Sequence, residues 1–209
     1  MNHARRPQSG LDAIGDVAAR ALNSAFHDGD TRSRPGRGLS AIDFGLDALR
    51  MRASLLGVSG EMVGSVENEA YAAYDKGAPL CESPIERSVL GALIVAPWIG
   101  FMSIPAKVHD AKKDTVKPPG DVVIVPQMAF IRYRFDFGLV LEIRNHFQFV
   151  AVECDGEDFH QDFAPDALRD NFLLSWGIQT FRLKGKDIER DPNGAVEGIV
   201  RHACDLKLG

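Results

Sequence analysis

Two short stretches of this chain carry carboxylates where apolar residues would be expected. Tyr133-Arg134-Phe135-Asp136-Phe137-Gly138-Leu139-Val140 and Gln148-Phe149-Val150-Ala151-Val152-Glu153-Cys154-Asp155-Gly156 both read as strands, from their β-branched and aromatic content. Side chains alternate along a strand, so Arg134, Asp136 and Gly138 share one face of the first. Ala151, Glu153 and Asp155 share one face of the second, while Val150, Val152 and Cys154 turn toward a core. A buried carboxylate without a partner costs several kcal/mol, or its pKa shifts until it is neutral. Carboxylates gathered at the ends of adjacent strands repel one another unless a cation joins them, and hard oxygen ligands select Mg²⁺ or Mn²⁺. A metal held there can lower the pKa of a bound water and polarise a phosphodiester.

The elements that must position these residues follow from the surrounding pattern. Ser83-Pro84-Ile85-Glu86 opens a helix: Ser83 caps, Pro84 suits the first turn and Glu86 completes a capping box. Leu90, Leu93, Ile94 and Trp98 follow at helical spacing, and 105–120 is a polar loop. Residues 121–131 form a first strand, the two carboxylate-bearing strands come next, and a turn from Glu142 to His146, containing Asn145, separates them. The spacing predicts a helix over 166–176 with Leu168, Phe172, Leu173 and Trp176 inward, stopped by Gly177. Residues 178–183 make a fourth strand, and Asp191-Pro192 starts a last helix. The expected class is α/β, with a small mixed sheet in the order helix, three strands, helix, strand, helix.

Before Pro79 the pattern is helical: 11–26, 40–56 and 61–76, after a polar, disordered start and around a linker at 27–38. This region shows no catalytic spacing, and its helices are expected to pack on the main domain or on a partner. The division expected is 1–78, an N-terminal helical extension, and 79–209, the main domain.

Composition narrows the classes. Of 209 residues, 45% are hydrophobic and 25% charged, ordinary for a globular protein. A net charge of −5 argues against a broad surface that coats nucleic acid, yet bound cations would cancel local acidity in a metal site. The 3 cysteines form no C-x-x-C pair, which excludes a zinc ribbon and fits a reducing cytoplasm. No apolar run spans a bilayer, and the start does not read as a signal peptide.

In order and spacing, Ser83-Pro84-Ile85-Glu86, Tyr133-Arg134-Phe135-Asp136-Phe137 and Val152-Glu153-Cys154-Asp155-Gly156 with His160 resemble the PD-(D/E)XK nuclease superfamily. More narrowly they are similar to small domains related to very-short-patch-repair endonucleases. Arg169-Asp170, Trp176-Gly177, Phe181-Arg182-Leu183 and Gly185 to Pro192 continue the resemblance, which covers about 82–203. It implies a restriction-endonuclease-like three-layer core and a Mg²⁺- or Mn²⁺-dependent endonuclease acting on DNA. Asp136, Glu153 and Asp155 would then be the metal ligands. Glu86 would add a carboxylate or orient a metal-bound water. His160 would act as general acid/base or touch a phosphate, and Arg169 and Arg182 would steady a phosphate or the carboxylates.

The superfamily often has lysine two positions after the acidic residue; Asp155 stands here. A second metal, His160 or Lys184 takes over the positive charge, or activity is altered or lost. The alternative is therefore a catalytically inactive, nuclease-derived module for DNA binding or interaction. Simpler readings also exist for single residues. The capping box explains Glu86 without chemistry, turn amides would satisfy Asp136, Arg169 can pair with Asp166 or Asp170, and Arg182 with Glu153.

Overall fold

The computed structural model describes residues 41–101, 106–115, 122–143, 146–155 and 163–208. The polar start, the expected helix over 11–26 and the linker at 27–38 lie outside them.

Helix α1 (Ala41–Leu55) buries Ile42, Leu46, Leu49 and Ala53, a stripe spaced by three and four residues. Helix α2 (Gly60–Gly77) is capped by Ser59, whose hydroxyl accepts a hydrogen bond from the Met62 N–H. Helix α3 (Pro84–Phe101) buries Val89, Leu90, Ala92, Leu93, Ile94 and Val95, so apolar side chains leave it on more than one side. It is the spine of the main core: α1 packs along it, as does the last helix, α6 (Pro192–Leu208). Residues Ser40–Gly209 cluster as one compact unit, so α1 and α2 share a core with α3 across the division read at 78/79.

Among the described residues the sheet has five strands in sequence order. β1 (Lys107–Val108) runs parallel to β2 (Val122–Phe130); β3 (Tyr133–Ile143) and β4 (His146–Asp155) are antiparallel to their predecessors, and β5 (Gln179–Lys184) is parallel to β4. Helix α4 (Phe163–Ser175) lies between β4 and β5 in the chain, and α5 (Gly185–Arg190) follows β5. Phe137 opposite Val152 and Leu139 opposite Val150 place these side chains in the main core, with α1, α3 and α6. Ala151, on the other face of β4, packs with Leu173 and Ile178, so α4 covers the side opposite α3.

The chain is thus α/β with a mixed sheet, and among the described residues no helix is long and apolar enough to cross a membrane. Several details depart from expectation. β1 falls inside the stretch read as a loop, because a two-residue strand is held only by its parallel pairing to Val123 and Ile124. Glu142 and Ile143 pair with Phe147 and His146 rather than turning. The short helix α5 adds an element to the expected order. Leu168 and Trp176 face outward, at 73% and 61% exposure, because α4 touches the sheet along a narrow stripe centred on Leu173. Trp176 lies past the end of the helix, edge-on to Phe130.

Candidate active site

The start of α3 is built as its sequence requires. The Ser83 hydroxyl accepts the Glu86 N–H at 3.1 Å, and Glu86 Oε2 accepts the Glu82 N–H at 2.9 Å. The same oxygen accepts from Gln127 Nε2 at 2.8 Å, tying the helix to β2. Glu86 is buried, and these charge-assisted bonds at a helix N-terminus offset its desolvation. Capping is real here, but it is not the whole environment, because the charge of Glu86 also acts on Asp136. Arg134 adds a second tie, forking onto Glu82 at 2.9 and 3.0 Å.

Phe137 and Val152 form the last pair of the β3–β4 ladder at this end. Beyond that pair the ladder stops and the alternation read along β3 breaks: Phe137 lies in the main core, whereas Phe135 packs with Ala151 and Leu173 on the α4 side, so Arg134, Asp136 and Gly138 do not all share the one face expected of them. In place of a further ladder bond, Asp136 Oδ2 accepts the Cys154 N–H at 2.7 Å. Burial pushes the Asp136 carboxyl above its ordinary range, and the charges of Glu86 and Asp155 add to this; the Cys154 N–H and Arg134 pull the other way. Burial likewise raises Glu153, with Asp136 adding to it, against the charges of Arg169 and Arg182. The two carboxylates therefore sense each other across the strands.

Two arginines border Glu153, and a lysine stands in register with Asp155. Arg169, from α4, brings Nη2 to 3.2 Å from Glu153 Oε1. The Arg169 charge pulls the Glu153 carboxyl down, and both Glu153 Oε1 and Arg169 Nε are buried. Arg182 lies in register with Glu153, and Lys184 with Asp155, on the parallel strand β5. In-register residues of parallel strands share a face, so Glu153, Asp155, Arg182 and Lys184 project to one side. Arg182 forks onto Asp170 at 3.2 and 3.1 Å, holding α4 against β5, while its charge also acts on Glu153. Sequence reasoning missed Thr180, in register with Ala151, whose Oγ1 is buried without a hydrogen bond. It also missed Gln127.

His160 lies outside the described residues. For a hard divalent cation, Asp136 and Glu153 have the right donor chemistry, and Glu153 Oε1 is a buried acceptor. Among the described residues no three His, Cys, Asp or Glu side chains gather closely enough to hold one ion. The set that fits is thus a pair of carboxylates, with Asp155 and Glu86 within electrostatic reach of Asp136.

No family model matches this chain, and no curated protein or solved structure matches it. Fold and site together define an α/β protein whose central strands end in a cluster of carboxylates and arginines.

Proposed function

We propose that this chain is a metal-dependent endonuclease of the restriction-endonuclease-like class, hydrolysing DNA phosphodiester bonds with Mg²⁺ or Mn²⁺. The observation that carries the reading is the Asp136 carboxylate held on the Cys154 N–H at the end of the β3–β4 ladder, where its charge acts on Glu153. Both are buried enough to be held above the ordinary carboxylate range. Asp136 and Glu153 would hold the cation, which supplies an activated water and charge neutralisation when bound. The chain's own cations do the rest. Arg169 and Arg182 flank Glu153, where they balance its charge and can meet a phosphate oxygen. Lys184, exposed and in register with Asp155, brings positive charge to the place where the superfamily's motif lysine is replaced. Glu86, fixed by its capping bonds, acts on Asp136 from the helix side.

The test is cleavage of plasmid and oligonucleotide DNA with each metal, with and without EDTA. Lys184→Ala is expected to slow cutting by about 10²-fold, the scale on which removal of one charge-stabilising donor acts. A KM within a few-fold of wild type is expected alongside.

The second reading, a nuclease-derived module that binds DNA without cutting it, draws on two features. Glu153 already has a cation beside it in Arg169, and position 155 is an aspartate. Under that reading, binding to nicked or structured DNA occurs with no turnover in any metal, and its affinity falls steeply with salt.

A further inference from the structure

Gln127 carries no motif signal, yet four observations converge on it. Its backbone sits at φ 52°, one of two non-glycine residues with positive φ among those described; the other, Ile131, is in the β2–β3 turn. It stands across from Asp136: Pro126 pairs with Phe137 and Met128 with Phe135, and the ladder skips the pair between them. Its amide nitrogen reaches Glu86 Oε2 at 2.8 Å, bridging strand and helix. Its other amide atom, Oε1, is buried with no hydrogen bond.

The backbone conformation by itself would favour Gly or Asn, the residues that enter the left-handed region most readily. Asn falls one methylene short of Gln, so the reach to Glu86 is what a glutamine adds. Capping does not demand that reach, since Ser83 and the Glu82 N–H already complete the helix start. Every hydrogen bond that Glu86 accepts goes to Oε2, so the carboxylate is pinned through one oxygen while the other stays uncommitted within the described protein.

We propose that Gln127 is a positioning residue: it fixes the Glu86 carboxylate beside Asp136, so that Glu86 serves the reaction as well as the helix cap. The kinetic consequence rests on the nuclease reading. The physical content is a strained strand residue whose side chain holds a carboxylate in one orientation; misplacement of a supporting group by about 1 Å can cost on the order of 10²-fold in rate.

The experiment measures Mn²⁺-dependent cleavage kinetics and thermal melting for the full chain and for Gln127→Asn, Glu86→Gln and the double variant Q127E/E86Q. Gln127→Asn suits the backbone but cannot reach Glu86. It is expected to lower kcat by about 10- to 100-fold, with KM nearly unchanged and melting close to wild type. The double variant restores an amide–carboxylate bond with its polarity reversed, so it should regain melting temperature relative to Glu86→Gln without regaining kcat. Two outcomes overturn the proposal while the nuclease reading stands: Gln127→Asn cutting at the wild-type rate, or the double variant recovering kcat together with stability. A wild-type chain that cuts in no metal is a different result; it removes the nuclease reading and this proposal with it.

Discussion

A carboxylate taken out of water holds its proton more tightly, and Asp136 and Glu153 both stand on the costly side of that balance at neutral pH. The sign follows from linkage. Where the folded pKa lies above the unfolded one, the native state binds more protons between the two values, so stability falls as pH rises through that window. Asp136→Asn is therefore expected to be more stable than wild type at neutral pH, because the asparagine oxygen can still accept the Cys154 N–H. The difference should shrink as pH falls toward the ordinary aspartate range; denaturant unfolding across acid to neutral pH checks this. A difference that grows on acidification would contradict it. Arg169 acts in the opposite sense on Glu153. Arg169→Ala should let the Glu153 carboxyl rise further, moving the acidic limb of the cleavage profile to higher pH, since a metal binds the ionised form. Asp136, Glu153 and Asp155 stood out in the sequence because carboxylates on apolar strands are a local signal, although the alternation that put Asp136 on one face with Gly138 breaks between Phe135 and Phe137. Gln127 did not, since its role depends on a positive φ and on a register with β3 that no short motif encodes.

Elements end where local chemistry tells them to, and those ends were the most readable part of the fold. Ser83, Pro84 and Glu86 announce α3, and Gly177 stops α4 at φ 74° while the Ile178 N–H returns to the Leu173 carbonyl. Gly177→Ala is expected to cost about 1 kcal/mol in denaturant unfolding, the penalty for a side chain in the left-handed region. Gly138 is required for a different reason: a Cβ there would run into the Met128 side chain, which closes over β3 two residues from Asp136. Gly138→Val should destabilise by about 1–3 kcal/mol through overpacking and disturb cleavage more than Gly177→Ala does. β1 was invisible in the sequence because two residues carry no periodicity, and its pairing partners, Val123 and Ile124, lie 16 residues away in each case. Trp176 was misjudged because an aromatic after an apolar stripe reads as core, whereas here the helix has already ended.

Across the whole described unit, stability and the site share one framework. α3 carries Glu86 at its first turn and the main core along its length, and α1 covers it with Leu46 and Leu49, both fully buried. Leu46→Ala should cost about 2–5 kcal/mol. Removal of residues 1–58 would strip all of α1, a loss comparable to the roughly 5–15 kcal/mol that holds a domain together; a cooperative melt in that shortened chain would contradict the packing described. The α/β class was readable from the alternation of helical and strand periods. The joining of α1 and α2 to the main core was one of two alternatives the sequence left open, because amphipathic helices announce that they bury a face without saying against what. The central claim is that acidic side chains from β3 and β4 act together on a metal-assisted phosphodiester cleavage. Its most direct test is DNA cleavage in Mg²⁺ and Mn²⁺ by wild type, Asp136→Asn and Glu153→Ala side by side, with EDTA controls. The account predicts cutting by wild type that EDTA stops and that each substitution reduces to background; undiminished cutting by Glu153→Ala, or none by wild type in either metal, would contradict it.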